Sequence, residues 1–245
     1  LCAVAYFRAG GEYDSVYESS TFVRCDKIIG YKSIIDCFER FIDNNILQRR
    51  TVMDYNFFAI INRMKYIARW SLMHSLEPEN VLEHTAQVTM IAHALAVIKN
   101  KLYGGNVDIN TVMLYALYHE TGEVVTGDLP TPVKYYNEDI KNAYKAIERT
   151  SCEKIIGTLP DELKGEFIPY VIPDESSAEH DIMKSADKIS AYLKCIAEMR
   201  LGNKEFKKAK TSIEKEIRSK NRPEADYFMK YFVPAFEKTL DELDY

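Results

Sequence analysis

No two cysteines in this chain are spaced as a zinc or redox motif. The five that occur, Cys2, Cys25, Cys37, Cys152 and Cys195, are odd in number and scattered. That excludes a disulfide framework and implies reduced thiols. No uninterrupted apolar run approaches the roughly 18–20 residues a membrane helix needs. Leu1 to Tyr6 are apolar, but the stretch is too short and lacks the basic flank of a signal peptide. The expected compartment is the cytoplasm, with no membrane partner. Positive charge is not in excess either: 32 Lys and Arg face 37 Asp and Glu, for a net charge of −5. This excludes a general binder of nucleic-acid polymers. A small anionic substrate remains open, since a few local cations suffice for it. Internal repeats, low-complexity tracts and long linkers are missing. Tryptophan occurs once and histidine only five times, so each is worth locating.

What is present from Asn56 onward is helical patterning, and the fold class this predicts is all-α. Phe57, Ile60, Ile61, Met64, Ile67 and Ala68 recur at helical spacing. A loop follows from His74 to Glu79. Asn80 with Glu83 forms a capping box for a helix from Val81 to about Lys101, with Val81, Val88, Ile91, Ala92, Leu95 and Ile98 as its apolar stripe. Gly104, Gly105 and Asn106 end it. Asp108 caps a helix from about Asn110 to His119. Gly122, Gly127, Pro130 and Pro132 impose a loop, and a helix from about Asn137 to Ile156 comes next. Ser176 with Glu179 reads as a second capping box, for a helix from about Ser177 to Leu201. Two further helices fit Lys204 to Lys220 and Ala225 to about Leu243, the latter interrupted at Pro234.

At 245 residues the chain has room for one sizeable domain with an extension. The expected division is 1–52 and 53–245. Leu1 to Phe7 and Ser20 to Val23 suit short strands, and Ile28 to Leu47 suits a helix. Two readings of 1–52 stay open: sequence outside the native domain, or an N-terminal extension packed on the body.

The histidines are His74, His84, His93, His119 and His180. His84 follows Glu83 in the first turns of the Val81 helix. His119 ends an apolar helix and is followed by Glu120. Imidazole and carboxylate together make a ligand set for a divalent transition metal, and neighbours at a helix end can reach one ion. Asp187 sits in an otherwise apolar-faced helix, where an isolated charge is costly without a partner or a metal. His93 lies nine residues from His84, about half a turn out of phase, so the two cannot face one site. His74 and His180 lie near loops and are expected to be exposed.

The order His, His-acid, Asp on separate helices resembles the HD superfamily of metal-dependent phosphohydrolases. The resemblance becomes specific to the bacterial HD-domain 5'-deoxynucleotidases. It is carried by Arg69 to Met73, Glu79 to His84, Gly104 to Val107, Tyr118-His119-Glu120 and the string Glu123 to Tyr135. Further matches are Tyr144 to Glu148, Ala186-Asp187, Ala191 to Cys195, Asp226 to Met229 and Phe232-Val233-Pro234. Together they span about 53–243. Thr126 to Lys134 is the most specific part, being long and without a generic structural reason.

The resemblance implies an HD-domain helical bundle that hydrolyses deoxynucleoside 5'-monophosphates to deoxynucleosides and phosphate. It implies one divalent transition metal ion, such as Co or Mn, and a homodimer. The implied metal ligands are His84, His119, Glu120 and Asp187. Arg69 matches the residue that orients the phosphate, and a guanidinium fork suits two phosphate oxygens. Trp70 matches a wall of the sugar pocket that disfavours a ribose hydroxyl. Asp128 matches a carboxylate on the sugar-hydroxyl side, while Leu129, Pro130 and Thr131 wrap the nucleoside. Glu120 and Asp187 also face substrate, and Glu123 is the candidate for proton transfer. The chain departs from the family at one ligand: the doublet here is His-Glu, not His-Asp. The extra methylene adds about 1.5 Å of reach. Three alternatives stay open: hydrolysis of deoxynucleoside triphosphates, hydrolysis of cyclic nucleotides, or a nucleotide binder made inert by Glu120.

Overall fold

The computed structural model describes residues 55–134 and 136–243. The strands, the helix and the domain status expected for 1–52 lie outside these residues. Among the described residues the only extended pairing is one isolated antiparallel bridge, Ala68 to Asn80; the rest of the regular structure is helical, as expected.

The helices are α1 (Phe57–Ile61), α2 (Val81–Leu102), α3 (Ile109–Tyr118), α4 (Glu123–Thr126), α5 (Thr131–Lys134), α6 (Glu138–Ile156), α7 (Asp161–Val171), α8 (Ala178–Arg200), α9 (Lys207–Ser219) and α10 (Pro223–Tyr231). Short 3-10 turns lead out of α1, into α9 and away from α10.

Local chemistry accounts for most boundaries. Asn80 accepts from the Leu82 and Glu83 N–H groups while Glu83 reaches back to the Asn80 N–H, so the expected capping box opens α2. Asp108 and Asn137 cap α3 and α6 through their side chains. Elsewhere the structure corrects the sequence reading. The helical period of 57–68 stops early: α1 ends at Ile61, Asn62–Tyr66 tightens to 3-10, and Ile67 is extended. Ile67 and Ala68 are drawn out because the Val81 N–H donates to Ile67 O at 2.9 Å beside the Ala68–Asn80 bridge. The cap of α8 is Ser177, not Ser176, and Glu179 accepts instead from the Asp108 N–H. Pro223 starts α10 two residues before the expected Ala225. The loop expected after Gly122 contains two helical turns, α4 and α5, and α7 was not foreseen at all.

The main core lies where α2 and α8 cross, with α3, α9 and α10 around them. Leu95, Ala92, Ile182 and Ile189 are fully buried there. A smaller cluster joins α1, α6 and α7 through Phe57, Cys152, Ile155 and Val171. By length and composition α2 is apolar enough to cross a membrane, although no uninterrupted run reveals it. Its place at the centre of the bundle explains that apolarity: every residue of the predicted stripe is buried. His84 falls on the same stripe, three residues after Val81.

Candidate active site

Three elements deliver the candidate metal ligands. His84 comes from the first turns of α2, His119 and Glu120 from the C-terminal end of α3, and Asp187 from the middle of α8. One ligand atom from each lies within 4.8 Å of the other three. Donors about a tetrahedral zinc-sized ion lie about 3.4 Å apart, so the widest-spaced of the four would draw in by about 1 Å around one. His93 lies on the opposite face of α2 from His84, as expected, and is exposed; His74 is exposed, as expected. His180 is half-buried against the Tyr115 ring, not exposed.

The hydrogen bonds behind the histidines fix which ring nitrogen is free. The Ser190 hydroxyl donates to Gln87 Oε1 at 2.7 Å, so its oxygen accepts from His84 Nδ1 at 3.0 Å. Burial, with the Arg69 charge nearby, holds the His84 pKa below its usual value, so the ring is neutral at pH 7. Its Nε2 therefore presents a lone pair to Asp187 Oδ1 at 3.1 Å and to Glu120 Oε1 at 3.6 Å. His119 Nδ1 donates to the Ala116 carbonyl at 2.7 Å. Its buried Nε2 makes no hydrogen bond among the described residues, although Glu120 Oε1 is only 3.1 Å away. At His84 acceptor faces acceptor, an arrangement that a cation between them relieves. Two imidazoles and two carboxylates suit a transition ion, and the residues present fit one.

The carboxylates divide by environment. Burial raises the pKa of Glu120 and Asp187, but their immediate neighbours outweigh it and hold both groups below the usual range. For Glu120 the partners are His119 and His84; for Asp187 they are His84 and Lys184. Glu123, buried behind Glu120, is pushed up to about 10, first by burial and then by the charges of Glu120 and Asp128. At neutral pH it keeps its proton. Asp128 is raised by burial, against the pull of Arg69.

Arg69 and Trp70 stand beside this cluster on the segment that enters α2. Trp70 adopts φ 61°, a left-handed backbone that costs a bulky side chain about 1–2 kcal/mol. Three contacts hold it: the Trp70 N–H donates to Asp128 Oδ2 at 3.3 Å, the indole Nε1–H donates to Glu79 Oε2 at 3.1 Å, and the ring packs on Phe206 at 5.3 Å. The Asp128 contact joins the two halves of the expected substrate pocket. The rest of the string is pinned to α6. Tyr144 OH meets Thr126 Oγ1 at 3.1 Å and donates to Gly127 O at 3.3 Å, and Lys134 donates to Glu148 at 3.1 Å. Gly127, at φ 71°, makes the turn that lets Asp128 reach back to Trp70. Leu129 and Pro130 are half-buried and Thr131 is exposed. The Pro130 carbonyl accepts from Val133 and Lys134 to start α5.

The chain matches the family model of the YfbR-like 5'-deoxynucleotidases over residues 56–236. It belongs to that family. The 5'-deoxynucleotidase VV1113 of Vibrio vulnificus is 48% identical over 193 residues, covering 78% of this chain and 100% of that protein. The 5'-deoxynucleotidase YfbR of Escherichia coli (strain K12 / DH10B) is 48% identical over 191 residues, covering 77% and 95%. Among solved structures, an HD-domain phosphohydrolase from Listeria innocua superposes with a TM-score of 0.65 at 21% identity, over 74% of this chain and 88% of that one. The cyanophage S-2L HD phosphohydrolase DatZ, solved with dA and one catalytic Zn2+ ion, gives a TM-score of 0.51 at 18% identity, over 74% and 96%. These two likenesses show the HD-domain fold.

Several family positions gain partners that the sequence reading did not name: Ser190 and Gln87 behind His84, Glu79 behind Trp70, and Glu148 beside Lys134. The first two carried a faint signal. Gln87 lies three residues after His84 and Ser190 three after Asp187, each one helical turn from a ligand on the same face.

Proposed function

We propose that this chain is a metal-dependent 5'-deoxynucleotidase that hydrolyses deoxynucleoside 5'-monophosphates to deoxynucleosides and phosphate. The observation that carries the reading is the placement of Arg69, Trp70 and Asp128 around a four-ligand cluster built from His84, His119, Glu120 and Asp187. When bound, a divalent ion supplies a Lewis acid for a phosphoryl oxygen, lowers the pKa of a water and draws down that of Glu123. Cobalt or manganese suits the mixed nitrogen and oxygen set.

The chain's own residues do the rest. His84 and His119 each bond away through Nδ1 and turn Nε2 to the cluster, where it can ligate. Arg69 binds the phosphoryl group and opposes the charge that develops on its oxygens. Its buried Nη1 has no hydrogen-bond partner among the described residues and is free to donate. Glu123 holds the proton that the leaving 5'-oxygen requires. Trp70 presents an apolar wall to C2', where an unpaired ribose hydroxyl is penalised. Asp128 meets the sugar hydroxyl, and Leu129, Pro130 and Thr131 enclose the nucleoside with little base readout. We place the enzyme in the cytoplasm, in keeping with the free, buried Cys152 and Cys195, and carry over the homodimer from the family resemblance alone.

The test is a panel of deoxy- and ribonucleoside monophosphates, dATP and a cyclic nucleotide, each assayed with Mn, Co and Zn. Orthophosphate from the deoxy monophosphates, with ribonucleotides turned over poorly, is the expected result. Triphosphate release from dATP, or turnover of the cyclic nucleotide alone, assigns a different substrate class and overturns the reading.

A further inference from the structure

Glu79 lies on the short segment between the Arg69–Trp70 pair and the cap of α2, and it meets that pair at three points. Its backbone carbonyl accepts the Arg69 N–H at 3.0 Å. Its Oε2 accepts the indole N–H of Trp70 at 3.1 Å. The same oxygen lies 3.7 Å from Arg69 Nη1, too far for a hydrogen bond. Both side chains of this ion pair are mostly buried, with 11% and 14% exposed. Glu79 therefore balances the guanidinium charge without using its Nη1 donor, which stays buried and without a partner among the described residues. One carboxylate thus steadies the indole and leaves the guanidinium free to bind an anion.

The segment is itself braced. Fully buried Glu198, on α8, accepts the Leu76 and Glu77 N–H groups at 2.9 and 3.1 Å. The helix that supplies Asp187 to the ligand cluster thus also anchors the strap that carries Glu79. Motion of Trp70 relative to the cluster is resisted from both ends.

We propose that Glu79 is a positioning residue with two separable effects: it sets discrimination between deoxy- and ribonucleotides through Trp70, and it tempers phosphate affinity through Arg69. The proposal rests on the deoxynucleotidase reading for the roles of those two residues. Glu79→Gln keeps an acceptor for the indole N–H and removes the charge. Glu79→Ala removes both.

The variants are compared by deoxy-to-ribo ratios of kcat/KM, by inhibition with inorganic phosphate, and by near-ultraviolet dichroism, which reports on Trp70 because it is the chain's single tryptophan. Glu79→Gln is expected to keep the dichroism and the ratio within about twofold while phosphate inhibits several-fold more strongly, since an opposing charge is gone. Glu79→Ala is expected to lose the tryptophan signal and about tenfold of the ratio, with far-ultraviolet dichroism and metal content unchanged. A Glu79→Ala protein that retains both signal and ratio overturns the proposal, as does Glu79→Gln that loses both. If Glu79→Ala does not fold, the Glu79→Gln arm decides alone. Wild-type protein inactive on every nucleotide overturns the deoxynucleotidase reading instead, and the tryptophan signal of the two variants still decides whether Glu79 anchors the indole.

Discussion

His84 Nδ1 lies 3.0 Å from Ser190 Oγ, and the Ser190 hydroxyl is already committed to Gln87 Oε1 at 2.7 Å. The serine can therefore only accept from the ring, and the ring is held in the tautomer whose Nε2 is free to ligate. Groups of this kind are worth about 10–100-fold in metal affinity. Ser190→Ala should weaken binding of Mn or Co by that factor in competition with a chromophoric chelator, with fold and Asp187 intact. An unchanged dissociation constant would show that packing alone orients His84.

Glu120 is where the chain departs from the His-Asp doublet that the resemblance implies. Its Oε1 lies 3.1 Å from His119 Nε2 and 3.6 Å from His84 Nε2, within the span of the ligand cluster. The longer side chain is accommodated, so the wild-type protein should bind metal and turn over. Glu120→Asp should retain one metal per chain and alter kcat by less than about tenfold, since the carboxylate withdraws by about one carbon–carbon bond. A wild-type protein that is inert while Glu120→Asp is active would favour a nucleotide-binding homologue disabled at this position.

Arg69 influences His84 and Asp128 electrostatically but is not one of the four clustered ligand residues. Arg69→Ala should lower phosphate release by about a hundredfold or more, the scale of losing one donor to a developing oxyanion. Metal content, read by elemental analysis, should hold. Arg69→Lys should recover little, because a point charge lacks the planar fork. Loss of metal in Arg69→Ala would make the residue structural.

What the sequence disclosed and what it concealed follow from the range of the interactions. The Asn80–Glu83 box and the Asp108 cap are decided within a turn of chain, and both were legible, as was the start of α6 near Asn137. So was the buried stripe of α2, because its period is local. The ligand cluster was legible through resemblance and residue chemistry: His84, His119, Glu120 and Asp187 come from three helices, and only their packing brings them together. Ile67 and Ala68 misled because their partners, Val81 and Asn80, lie a dozen or more residues on. Gly165 and the in-helix Pro169 broke the pattern of α7, although Pro160, Asp161 and Glu162 carry the marks of a helix start. Ser190 and Glu79 are ordinary polar residues until the crossing of α2 and α8 and the left-handed turn at Trp70 give them something to hold.

Glu198 offers a prediction in which the pH dependence has a definite sign. Burial alone would raise its pKa, but Lys194, the Leu76 and Glu77 N–H groups and Asn203 all bond to the carboxylate and bring it down to about 2. A carboxylate whose folded pKa lies below its unfolded value of about 4.3 binds fewer protons folded than unfolded. Its stabilisation is fully present above the unfolded pKa and is lost as pH falls through the folded one. The gap corresponds to a contribution of about 3 kcal/mol, with full burial leaving little solvent screening. Glu198→Gln should therefore lower unfolding free energy in urea by roughly this amount at pH 7, and the deficit should shrink as pH falls from about 4.5 towards 2. A deficit that stays constant across that window would mean that the charge of Glu198 contributes nothing and only its shape matters. The strap it clamps carries Glu79, so the same variant should also loosen Trp70, visible as weaker near-ultraviolet dichroism at pH 7 in protein that is still folded.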